Sequence, residues 1–257
     1  MERRTLGRTA LEVGRLGMAA SYGVPSKAVE QAFERGVNYL YWGTFRRGAF
    51  GQALRNLKPQ RDRMVLALQS YSRVAALMKL SVEIALRRLG FEYADVLLLG
   101  LWDRKPPQRI LDASRQLRER GLIRHVGIST HHRPLVPDLS TDPDVGIVHV
   151  RYNAAHPGAE REVFPLLSTN GKRPGMVAFT ATSWGQLLNP KRVPPGERVP
   201  TAADCYRFVL SNPDVDVCMT GPANEAQAAE ALRAIELGPM NPEELAWMRR
   251  VGDYIHK

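Results

Sequence analysis

The sequence is that of an α/β chain folded as a (β/α)8 TIM barrel, with an N-terminal β-hairpin and an added C-terminal helix. Two observations carry this. Short apolar runs alternate with amphipathic stretches closed by glycine, the rhythm of parallel strands joined by crossover helices. Eight such units fit into 257 residues with no linker or low-complexity stretch between them, which is the arithmetic of that barrel and makes residues 1–257 one domain. A doubly wound sheet is the alternative, but no G-x-G-x-x-G opens a helix after the first strand.

Residues 4–13 turn at Gly7-Arg8 and read as the hairpin, and residues 15–18 as the first barrel strand. Pro25-Ser26 opens a helix with Val29, Ala32 and Phe33 on one face and a stop at Gly36. Residues 39–42 are the second strand, 51–57 a short helix and 64–69 the third strand. Residues 73–89 form a long helix; Val74, Leu77, Leu80 (or Ser81), Ile84 and Leu89 recur at helical spacing as its apolar face, and Gly90 ends it. Residues 94–99 are almost wholly apolar, as a strand covered on both faces should be. The second half repeats the rhythm: helix 107–120 ended by Gly121, strand 123–128, a short segment at 135–139, strand 146–150, helix 160–167 and strand 176–179. A proline-rich loop at 189–200 leads to a helix capped by Thr201 and running to residue 210, then to strand 215–219 and helix 225–237. Asn241-Pro242-Glu243-Glu244 starts the added helix, with Asn as cap and Pro in the first turn.

A composition of 44% hydrophobic and 24% charged residues is that of a folded globular chain, which excludes wholesale disorder. No apolar run approaches the roughly 18 residues of a membrane span. The first residues are charged and lack the apolar stretch of a secretory signal, so a cytoplasmic location is expected. Cys205 and Cys218 make no disulfide framework or zinc pattern and read as buried, inert thiols. The net charge of +10 is spread over scattered arginines whose tightest groups are pairs, without the basic run of a nucleic-acid arm. A small molecule, anionic ones included, is therefore the expected partner, and neither nucleic acid nor membrane is.

A barrel binds its ligand on the loops after the strands' C-terminal ends. Those loops carry Tyr22, Tyr41, Trp42, Arg46, Arg47, Tyr71, Trp102, Asp103 and Trp184. Tyr22, Trp42, Tyr71, Trp102 and Trp184 have the flat faces to box a ligand. Arg46 and Arg47 have the forked donors to clamp a carboxylate or phosphate. Tyr41 is the candidate proton donor, and Asp103 a candidate acid. The adjacent His131 and His132 point in different directions, so a shared metal is not expected.

The order of motifs resembles the aldo-keto reductase family. Arg3-Arg4-Thr5-Leu6-Gly7-Arg8-Thr9 resembles its opening, Gly36-Val37-Asn38-Tyr39 the entry to the second strand, and Arg88-Leu89-Gly90 with Tyr93-Ala94-Asp95-Val96-Leu97 the approach to the fourth. Gly121-Leu122-Ile123-Arg124-His125-Val126-Gly127-Ile128-Ser129 is the most specific match, and Tyr152-Asn153, residues 201–213 and Gly221 follow in the family's order. The resemblance covers nearly the whole chain. It implies carbonyl reduction by hydride transfer from a nicotinamide, NADP or NAD, with a tyrosine as proton donor, a lysine and an aspartate tuning it and a histidine orienting the substrate.

Carried over position by position, the aspartate falls on Tyr41, the tyrosine at or beside Arg46, the lysine on Gln69 and the histidine on Gly100. All four are replaced. The Ser-Asn pair that holds the carboxamide falls on Ser129-Thr130, the sixth-strand glutamine on His149, and the tyrosine under the nicotinamide on Thr180. After the eighth strand, from Gly221 to Ala223, neither Lys nor Arg stands at the 2′-phosphate position; Asn224 follows as a further cofactor candidate. Of the adenine contacts Glu230 is in place, while Gln227 stands at the Arg/Gln position and Ala231 at the Asn position. Three readings follow from the sequence. One is a nicotinamide-linked oxidoreductase with a rebuilt acid at Tyr41. The second is acid–base chemistry without redox on an anionic metabolite held by Arg46 and Arg47. The third is a catalytically silent ligand-binding protein.

Overall fold

The computed structural model describes residues 3–43, 46–167 and 173–256. A hairpin of β1 (Arg3–Thr5) and β2 (Glu12–Gly14) precedes eight strands: β3 (Leu16–Ala19), β4 (Tyr39–Trp42), β5 (Val65–Ser70), β6 (Ala94–Leu99), β7 (Ile123–Thr130), β8 (Val145–Arg151), β9 (Gly175–Phe179) and β10 (Val217–Thr220). These eight pair in parallel, and β10 closes on β3. The helices between them are α1 (Ser26–Glu34), α2 (Gly48–Asn56), α3 (Ala75–Leu89), α4 (Gln108–Glu119), α5 (Val136–Thr141), α6 (Ala159–Glu162), α7 (Ala202–Leu210) and α8 (Glu225–Leu237), and α9 (Pro242–His256) ends the chain. Among the described residues, no helix is long and apolar enough to cross a membrane.

Strand alternation splits the core in two. Leu40 and Trp42 on β4, Leu66 and Leu68 on β5, and Val148 and Val150 on β8 face the helices. Tyr39, Val65, Ala67, Val96, Ile147, Val177 and Val217 fill the barrel interior. The hairpin plugs the N-terminal end, because Leu6, Leu11 and Val13 join that inner cluster. Gly7 makes the plug possible: it has φ +50°, and a Cβ there would lie 2.2 Å from the amide nitrogen of Gly175. Buried carboxylates tie the same end together. Asp216 accepts from Arg173 at 2.7 Å and from the Met176 amide at 2.8 Å, and Asp95 accepts from the Leu66 amide at 2.8 Å beside Arg61.

Two local expectations change. On α3 the buried stripe is Met78, Val82, Leu86 and Leu89, while Val74, Leu77 and Leu80 face solvent. The helix carries apolar residues at two phases, and contact with the sheet selects the second. The strands β7 and β8 also run past their expected ends, which puts Ser129, Thr130 and Arg151 on regular strand.

Candidate active site

The C-terminal end of the barrel opens into a cavity of about 570 Å³. Inward positions of successive strands form its floor: Ala19, Tyr41, Gln69, Leu98, Ser129, His149, Phe179 and Met219. Loops supply Tyr22, Tyr71, His131, Thr180, Trp184 and Gly221, and the first turn of α8 supplies Gln227. None of the described lining residues is Asp, Glu, Lys or Arg. Backbone strain gathers around this mouth: Arg46, Leu101, Thr180, Ser183 and Trp184 hold φ between 43° and 58° without being glycine. Buried Asn153 helps to hold one of them, donating from Nδ2 to the Thr180 carbonyl at 2.8 Å.

Beneath the floor, the Tyr39 hydroxyl meets His149 Nε2 at 2.8 Å. Burial pushes the His149 imidazole down to about 3, so it is neutral, and keeps the Tyr39 hydroxyl protonated. Above it, the Tyr41 hydroxyl lies close to Tyr71, and both residues line the cavity. Burial raises the Tyr41 pKa first, and the neighbouring Tyr71 and Tyr39 raise it further. Gln69 Oε1 is buried and has no hydrogen-bond partner among the described residues. Gly100 explains how Tyr71 reaches Tyr41: a Cβ at Gly100 would lie 2.5 Å from the Tyr71 ring and 2.7 Å from Gln69 Nε2. The ring and the amide occupy the space into which a larger residue at this position would project. On the other side, Tyr22 packs 2.5 Å from where a Gly221 Cβ would be.

Several expected site residues lie elsewhere. Trp42 points outward by strand alternation and is 6% exposed; its Nε1 donates to the Arg47 carbonyl at 3.2 Å, and the Arg47 guanidinium covers its ring at 4.0 Å. Arg47 also donates to the Gly43 carbonyl at 2.8 Å, so it is spent on the loop rather than on a ligand. Arg46 is exposed and outside the cavity lining. Trp102 is buried under the Arg73 guanidinium at 3.7 Å, with its amide continuing the sheet to the Ser129 carbonyl. Asp103 is exposed and off the lining, close enough to His131 to oppose the lowering of its pKa. Thr130 points away from the cavity and accepts from the His132 amide at 2.9 Å.

The expected cofactor contacts divide in two. At the nicotinamide end, Ser129, His149 and Thr180 face the cavity together. At the adenosine end, the polar groups are engaged within the protein. Asn224 caps α8 by accepting from the Gln227 amide at 2.9 Å, and Gln227 Oε1 accepts from the Ala223 amide at 2.8 Å. Glu230 pairs with Arg233 at 3.2 Å and accepts weakly from the Ala203 amide. Motif reading passes over Phe179 and Tyr206, which line the cavity, and Arg151, which stands beside Trp184. For Phe179 and Arg151 the signal was available, since each continues the inward parity of Val177 and His149.

Residues 24–193 match the model of the aldo/keto reductase family. Among solved structures, the chain is similar to the holo form of aldo-keto reductase AKR11C1 from Bacillus halodurans, with a TM-score of 0.80 and 22% identity over 98% of this chain and 96% of that one. The apo form of the same protein gives a TM-score of 0.79 at 24% identity with the same coverage. An aldo/keto reductase from Klebsiella pneumoniae, solved in complex with NADP and acetate, gives 0.79 at 21% identity over 96% of this chain and 94% of that one. With the family model spanning more than half of its length, the chain belongs to the aldo/keto reductase family.

Proposed function

We propose that this chain acts as an oxidoreductase on the carbonyl/alcohol pair of a small molecule in the mouth cavity, with a nicotinamide cofactor and with the Tyr41–Tyr71 pair in place of the family's tetrad. Family membership supports the reaction class, and the Klebsiella pneumoniae relative holds NADP. The observation that carries the site assignment is that Tyr41 lines the cavity on an inward strand position, with Tyr71 beside it on the same lining.

Ser129 and His149 would hold the nicotinamide end, and the cofactor, when bound, supplies hydride. Tyr41 keeps its proton at neutral pH because burial and its tyrosine neighbours disfavour the phenolate. It therefore polarises a substrate oxygen as a neutral O–H donor. Gln69 Oε1, with no partner of its own, accepts the hydroxyl of the alcohol form. The lining offers no cation to draw the proton from Tyr41, so turnover is expected to be slow for the family.

A thermal-shift titration with NADH and NADPH tests the reading, since a ligand of the folded state alone must raise the melting temperature. A shift with either, and a Tyr41→Phe variant about 10²-fold slower in hydride transfer, is the expected result. No shift with either dinucleotide at millimolar concentration overturns it. The function would then be ligand binding without redox, a reading that the uncharged lining favours.

A further inference from the structure

The described lining residues include no Asp, Glu, Lys or Arg, but one arginine outside the lining stands against two residues that belong to it, Trp184 and Phe179. Arg151 is the last residue of β8, two positions beyond His149, and pairs in register with Phe179 of β9. It therefore shares the inward parity of His149 at the level of the mouth. Its Nε is buried and has no hydrogen-bond partner among the described residues. Its guanidinium lies 6.0 Å from the ring of Trp184, which is 56% exposed and held out by a left-handed backbone. The neighbouring Arg133 differs: it is forked onto Glu162 at 2.8 and 3.0 Å. Arg133, His131 and His156 interact electrostatically with Arg151. The carboxylates beside them are Glu162, which is forked onto Arg133, and Asp103, which acts on His131, and among the described residues neither forms an ion pair with Arg151.

A guanidinium whose buried N–H lacks an acceptor gains most from an anion that presents two coplanar oxygens. We propose that Arg151 anchors a carboxylate of the ligand, with the ligand's flat body lying against Trp184 and Phe179. A carboxylate fits better than a phosphate because only one fork is free, and the neighbouring walls are aromatic faces rather than further N–H donors. The proposal rests on the mouth cavity being the ligand site, and not on the cofactor or the hydride step.

The test is calorimetric titration of the full-length protein, without dinucleotide, using benzoate, benzyl alcohol and inorganic phosphate as probes. Benzoate is expected to bind at least tenfold more tightly than benzyl alcohol. Arg151→Gln should abolish that preference while leaving benzyl alcohol binding unchanged. Arg151→Lys, which keeps the charge without the fork, should give an intermediate preference, and Arg47→Gln should leave it intact. An undiminished preference in Arg151→Gln, no benzoate binding at millimolar concentration, or tighter binding of phosphate than of benzoate each overturns the assignment. A protein that binds benzoate through Arg151 but takes no dinucleotide would refute the oxidoreductase reading and leave this one standing.

Discussion

The Tyr39 hydroxyl and His149 Nε2 lie 2.8 Å apart between β4 and β8, on opposite walls of the closed barrel, and both side chains are shut off from water. Each polar atom depends on the other, because the inner core around them is largely aliphatic, with Val65, Ala67, Val96, Ile147, Val177 and Val217. Tyr39→Phe is therefore expected to cost about 1–3 kcal/mol, the penalty of leaving a buried ring nitrogen without its partner. His149→Gln, whose amide can still meet the hydroxyl, should cost less. Urea unfolding of the two variants measures both; equal losses would show that the pair contributes packing alone.

The same histidine makes stability fall in acid. Folded His149 titrates at about 3, whereas an unfolded histidine titrates near 6.5. The unfolded chain therefore binds the proton first, and the stabilisation is complete above about pH 6.5 and is lost as the pH falls toward 3. Between pH 7 and pH 5 the loss from this group alone is about 2 kcal/mol. His125, His131 and His156, also lowered mainly by burial, act in the same direction. Denaturant midpoints at pH 7 and pH 5 should differ more in the parent than in His149→Gln. An identical pH dependence in the two would mean that His149 is protonated in the fold.

Much of this was legible in the sequence. Short apolar runs located the barrel strands, and the glycine stops at Gly36, Gly90 and Gly121 located the helix ends. Tyr41, Gln69, Ser129 and His149 were found by position, and all four turn inward. Sidedness was not legible wherever aromatic content stood in for parity. Trp42 was expected at the ligand although Tyr41, its neighbour, already claimed the inward direction. Arg46 and Arg47 were singled out because they stand on a loop after a strand end, while Arg151, read as lying just past its strand, was passed over. An arginine's use depends on whether a carboxylate or carbonyl reaches it first, and that is decided by contacts distant in sequence. The phase of α3 was ambiguous for a related reason: Leu77 and Met78 are equally apolar, and only the sheet distinguishes them.

Gly100 and Tyr71 should be coupled. A methyl at Gly100 would meet the Tyr71 ring at 2.5 Å, and Tyr71 is partly exposed, so the ring can swing away at the expense of its contact with Tyr41. Gly100→Ala is expected to cost about 1 kcal/mol, at the low end for overpacking. The same substitution in a Tyr71→Ala background should cost less, with a remainder because the Gln69 amide, 2.7 Å from the new methyl, still has to shift. A double-mutant cycle by chemical denaturation reads the coupling, expected at about 0.5–1 kcal/mol. Additive losses would show that Gly100 is constrained by something other than the tyrosine.

Trp42 and Trp184 should separate stability from binding. Trp42 is packed between β4 and its helices, with its indole N–H and its ring face both engaged by Arg47. Truncating it to alanine removes a large buried side chain and is expected to cost about 3–5 kcal/mol. Trp184 is 56% exposed at the rim of the cavity, where few contacts depend on it. Trp184→Ala should change stability by no more than about 0.5 kcal/mol and yet weaken benzoate binding several-fold, because the flat wall beside Arg151 is gone. Thermal melts and titrations on the two variants decide the matter. A Trp184→Ala protein that binds the probe as tightly as the parent would place the ligand deeper, against Tyr41 and Tyr71, and would remove Trp184 from the site.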